Sequence, residues 1–205
     1  MQPVCGTRCG SATLVVTPGI EAPAHTRVRV PGYSLIEIRQ ADMDRLVASD
    51  DAVLYWVIAH EYGHHLDMTA GNANLDGDWG LELRAEALAG CALERAGLII
   101  DPVLDLSRRS EAAAGRGAVL AEQFGSDGTH PHWRYMRHAI LAGYAACADG
   151  ARTVDEVAAS VTTLTAQVVR NRSPLLRTAG ARGSRDDVVP DGAQELAAPV
   201  QPLLP

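Results

Sequence analysis

His60 to Asp67, the stretch HEYGHHLD, decides how this chain is read. It holds His60, Glu61 and His64 in an HExxH arrangement. On an α-helix, residues four apart differ by about 40° in direction, so both imidazoles leave the same face. Two nitrogens placed in that way can take one zinc ion together. Glu61 is rotated about 100° from His60, so it stands beside such an ion rather than on it. A carboxylate held there can accept a proton from a water on the metal. The preceding run, Ala52 to Ala59, is apolar throughout, so the helix is expected to be buried. Buried histidines and a glutamate carry a large desolvation cost unless something binds them. His65 points about 100° away from His64 and is expected to pack or to support the site rather than to bind metal.

A zinc site needs more ligands than two histidines. The next helical stretch offers Glu82 and Glu86, again four apart on one face. Glu82 lies far enough beyond His64 for a loop and a returning helix. As third ligand it leaves one coordination position open for water, the arrangement of catalytic zinc. Glu86, one turn further, can accept the free N–H of His60. Asp76 and Asp78 compete as third ligand from the loop between the helices. The plain alternative for Glu82 and Glu86 is an exposed acidic stripe with Arg84 as local partner.

Outward from this centre, the chain alternates short strands and then helices. Residues 1–25 carry turn formers and no clear period, apart from a strand candidate at Ala12–Val16. Thr26–Val30 and Tyr33–Arg39 alternate in polarity around Pro31-Gly32, which predicts two half-buried strands joined by a turn. A helix is expected from about Asp50 to Met68, capped by Ser49 or Asp50 and stopped at Gly71-Asn72. A second is expected from about Leu81 to Ala96, where Ala85, Ala87, Ala89 and Gly90 permit close helix packing. Further helices are expected near Arg109–Gln123, His132–Ala148 and Val154–Val169. The last places Val154, Val157, Val161, Leu164 and Val168 on one stripe. Residues 172–205, rich in Pro, Gly, Ala and Arg, read as a flexible tail. The expected fold is α+β, a small antiparallel sheet packed on a helical bundle, with the HExxH helix at their junction and the Glu82 helix following it. The domain is bounded as 26–171.

HEYGHHLD followed by LELRAEALAGCAL resembles the gluzincin zinc metallopeptidases. It is similar to bacterial neutral zinc metallopeptidases and to CAAX-prenyl-protease-like peptidases, including small minigluzincin forms. The resemblance implies a zincin-like fold and Zn²⁺ held by His60, His64 and Glu82. It also implies that Glu86 orients a histidine, although Glu86 stands where the pattern usually has Asp or Asn. Phe124 to Tyr144 resembles the family's Thr-His-Pro stretch and the Arg-bearing helix after it. That implies a second catalytic residue, His130, approaching the zinc from the opposite side to help stabilise the oxyanion. Arg134 and Arg137 are then surface charges, or one of them is a structural partner for the Glu helix.

These readings predict a zinc-dependent endopeptidase with Glu61 as general base. The partner is a peptide or protein substrate, and an extended one is expected to add to the edge of Tyr33–Arg39. A catalytically inactive binding module on the same fold is the alternative. The remaining composition mainly excludes. Of 205 residues, 47% are apolar and 21% charged, which argues against wholesale disorder. The net charge of −7 provides no footprint for nucleic acid. No apolar run approaches the roughly 20 residues of a membrane span. The first residues lack the charge-then-apolar pattern of a signal peptide, so a cytoplasmic location is expected, with export of a processed chain as the alternative. Cys5 and Cys9 form a loop-like CxxxC. Cys91 and Cys147 sit in apolar helical contexts and are expected as buried free thiols, with a disulfide between them as the alternative.

Overall fold

The alternating polarity of Tyr33–Arg39 becomes the central strand of a three-stranded sheet. In a computed structural model that describes residues 10–20, 24–48, 50–72, 77–114, 131, 133–151 and 153–168, this strand is β3. All of these residues lie within the compact unit Met1–Arg170. Cys5, Cys9, Asp76, His130 and the expected tail fall outside them. The strands are β1 (Ser11–Thr17), β2 (Ala24–Val30) and β3 (Tyr33–Arg39). The helices are α1 (Gln40–Val47), α2 (Asp51–Thr69), α3 (Gly77–Arg95), α4 (Asp101–Ala114), α5 (Trp133–Ala148) and α6 (Val154–Ala159), with a further helical turn pair at 162–168. None is long and apolar enough to cross a membrane.

The architecture is α+β, but the sheet is mixed rather than antiparallel. Its order is β1-β3-β2, with β2 antiparallel to β3 and β1 parallel to it. The reason is two chain reversals in succession. The first sends β2 back against β1, the second turns at Pro31-Gly32, and β3 then runs parallel to β1 and inserts between the two. A consequence corrects the expected substrate edge. Both sides of Tyr33–Arg39 are already paired, so β3 has no edge to offer. Ser34, Ile36 and Ile38 are buried on one face while their neighbours stay half-exposed, the pattern of a sheet with one covered side.

The expected active-site helix is α2. Asp50 caps it, its side chain accepting from the Ala52 N–H at 2.8 Å. α3 begins four residues earlier than expected, at Gly77, so part of the expected loop is helical. α1 has no counterpart in the sequence reading. α4 begins at Asp101, eight residues before the expected Arg109; Asp101 and Pro102 in its first turn are the overlooked start signal. The final helix is interrupted after Ala159, where the Ser160 hydroxyl donates to the Val157 carbonyl at 2.6 Å in competition with the helical pattern. Its apolar stripe holds nonetheless: Val154, Val157, Val161 and Val168 are buried, with Leu164 packed beside them.

α3 packs between α2 and α5, and the α3–α5 seam is unusually close. A Cβ at Gly143 would lie 1.8 Å from the Ala87 carbonyl oxygen, and one at Gly90 would lie 2.0 Å from that of Ile140. In an open helix Gly→Ala gains up to about 1 kcal/mol. Here the added methyl meets backbone that can yield only if the helices separate, and overpacking costs about 1–3 kcal/mol or more. Gly143→Ala is therefore expected to lower stability by about 2 kcal/mol, read as a lower denaturant midpoint at unchanged slope. A variant as stable as the parent would contradict this packing.

Cys91 of α3 and Cys147 of α5 are bonded to each other rather than free, with Cα atoms 5.2 Å apart. Burial trends favour free thiols in such apolar settings, and the structure instead has the alternative, a disulfide between the two helices. Closing a loop of 56 residues removes about 4 kcal/mol of chain entropy from the unfolded state.

Candidate metal centre

His60 and His64 project from adjacent turns of α2, and Glu82 reaches them from the first half of α3. Their Nε2 atoms are 3.1 Å apart. Glu82 Oε2 lies 3.3 Å from His60 Nε2, and Glu82 Oε1 lies 3.4 Å from His64 Nε2. These three are the group among the described residues whose ligand atoms converge closely enough to hold a metal ion. Two ligands each about 2.0–2.1 Å from a tetrahedral zinc stand about 3.3 Å apart. The observed separations fit that edge length. The donor set fits as well: two imidazole nitrogens and a carboxylate, all lone-pair donors, meet at one point with little solvent around them. The side chain of Asp78 is not among those described, and neither is any part of Asp76, the two loop competitors for the third position.

α3 can come this near because of Gly63, inside the HEYGH stretch. A Cβ there would lie 2.9 Å from the Ala85 carbonyl oxygen and 3.0 Å from the Ala85 Cα. The two helix backbones touch at this point, one turn from Glu82. A buried ion pair holds the same junction. Arg84 donates through Nε to Asp67 Oδ2 at 2.8 Å and through a terminal nitrogen to the Asn72 carbonyl at 3.0 Å. Asp67 in turn accepts from the Asn72 side-chain amide at 3.0 Å. Arg84 thus answers Asp67 across the helix pair.

Glu86 is fully buried against His60. Its Oε1 faces His60 Nδ1 at 3.2 Å. A proton on Nδ1 leaves Nε2 free to bind, which is the tautomer a metal requires. Its other oxygen accepts from the Trp56 indole N–H at 2.8 Å. Burial works against charge on His60, but the Glu86 carboxylate and then Glu82 outweigh it and hold the imidazole well above its ordinary pKa of 6.5. The two carboxylates therefore favour positive charge at this position.

Glu61 is buried beside the triad. The Thr26 hydroxyl of β2 lies 2.8 Å from Glu61 Oε2 and 2.7 Å from the Glu61 carbonyl oxygen, so its one proton serves either acceptor. Burial raises the Glu61 pKa from 4.5, against the pull of His60 and Thr26. His65 does not join the ligands. It is buried on the sheet side of α2, where its Nδ1 meets the Ser34 hydroxyl at 2.7 Å and ties the helix to β3.

The structure brings His60, His64, Glu82, Glu61 and Glu86 together, while His130 lies outside the described residues. Trp56 and Thr26 were missed. Trp56 sits four residues before His60, on the same face, and that spacing was the available signal. Thr26 carried no such signal. Arg134 and Arg137 stand over the ring of buried Trp133, at 5.6 and 5.0 Å from its centroid, as cation–π partners. No protein-family model, curated protein or solved structure matches this chain.

Proposed function

We propose that the chain is a zinc-dependent peptidase of the HExxH-and-glutamate, gluzincin type on a zincin-like fold. The observation that carries the reading is the convergence of His60 Nε2, His64 Nε2 and a Glu82 carboxylate at 3.1–3.4 Å, with a second glutamate set beside them. Bound zinc would polarise a scissile carbonyl and acidify water. Glu61 would take the proton from that water and hand it to the leaving amine. Thr26 would steady the Glu61 carboxylate while it is charged. Glu86 would keep His60 in the binding tautomer. An extended peptide would add to β2, an outer strand of the sheet whose Thr26 already touches Glu61.

Metal analysis of the purified chain tests this directly. About one zinc per chain is expected, and a chelator should remove both the metal and any cleavage of a peptide panel. Glu82→Ala should weaken zinc binding by more than the roughly 100-fold upper range of outer-shell changes. If Glu82→Ala keeps full zinc occupancy, the third ligand lies elsewhere. A chain that holds zinc and never cleaves would favour the binding module.

A further inference from the structure

We propose that Trp56 is a positioning residue of the metal centre, acting on His60 through Glu86; this rests on the zinc reading above. The three side chains lie in line, joined by one hydrogen bond and one ion-pair contact. The indole N–H of Trp56 donates to Glu86 Oε2 at 2.8 Å, and Glu86 Oε1 faces His60 Nδ1 at 3.2 Å. A carboxylate with only one partner can rotate about its final bond. One with an indole fixed to its second oxygen presents the first in a single direction. Glutamate has one more methylene than aspartate, hence one more torsion to restrain. Trp56 supplies the restraint from His60's own helix, one turn back, so His60, Glu86 and Trp56 form a circuit across α2 and α3. Burial makes the arrangement strict. Trp56 is 5% exposed and Glu86 is 0% exposed, so water has little access to replace either contact.

The circuit predicts non-additivity. Trp56→Phe keeps the aromatic bulk and removes only the donor. Glu86→Gln keeps the volume and removes the charge; with its oxygen held by Trp56, it turns an N–H₂ group toward the Nδ1–H of His60. Each change should weaken zinc binding by about 10–100-fold, measured by competition with a chelator. The double variant should bind no more weakly than Glu86→Gln alone, because both changes cut one path. In the zinc-loaded protein, the Nδ1–H proton of His60 should appear downfield in the NMR spectrum and exchange slowly. In Trp56→Phe it should shift and exchange faster.

Unchanged zinc affinity in Trp56→Phe, or losses that multiply in the double variant, would overturn the proposal. Should Trp56→Phe fail to fold, the parent protein answers the same question. Its Trp56 indole N–H should be protected from exchange and should shift on Glu86→Gln; an indole proton that exchanges freely overturns it. A parent chain that takes up no zinc at all would instead remove the metal-centre reading on which this one stands.

Discussion

Glu61→Gln should retain about one zinc per chain and lose peptide hydrolysis by about 10²- to 10⁴-fold, the range for a removed general base. The two effects separate because Glu61 is not one of the three converging ligands. Glutamine has the shape of glutamate, and its oxygen can still accept from the Thr26 hydroxyl, so the local structure has no reason to move. What disappears is the ability to bind and release a proton. Burial has already raised the pKa of Glu61 from 4.5, toward the range where a base both accepts and returns a proton efficiently. Metal content and rates are measured on the same preparation. A variant that cleaves as fast as the parent would take the base role away from Glu61.

Asp67→Ala should destabilise the fold by about 3–5 kcal/mol, the cost of leaving a buried charge without its partner. For a chain of this size that is a fall in melting temperature of roughly 6–20 °C. The pair itself contributes little. Burial outweighs Arg84 and Asn72 and raises the Asp67 pKa above 3.8, so the native fold does not favour the bare carboxylate. The loss comes from what remains: an Arg84 guanidinium 5% exposed that has lost its Asp67 contact, between two packed helices. Replacing both partners at once, as Asp67→Leu with Arg84→Met, should recover most of the stability. Thermal unfolding of the single and double variants separates the outcomes. Equal losses in both would mean that packing at this junction, rather than the stranded charge, sets the cost.

Much of the candidate site was legible because it is written in helical spacing. His60, His64, Glu82 and Glu86 are related by steps of four within their helices, and a helix turns such a step into a shared face. The partner contacts were not legible. Thr26 meets Glu61 across 35 positions and Trp56 meets Glu86 across 30, and no local pattern announces which strand or helix will lie alongside. The same limit explains the sheet. The alternation of Tyr33–Arg39 revealed a strand with one covered face, but not that β1 would lie parallel to it and use up its second edge. It explains the cysteines too. Their apolar settings were visible, and the adjacency of their helices was not. Helix starts were missed at Gly77 and Asp101 because loop-forming residues there also suit a first helical turn.

α3 is secured twice, both times beyond the Glu82 it carries. Arg84 pins it two residues after Glu82, and the bond at Cys91 pins it about 10 Å further along. A carboxylate mounted on so stiff a bracket arrives already in place. A metal ion would then meet donors already set, and its expected rate of capture is that of shedding its own water rather than of rearranging the chain.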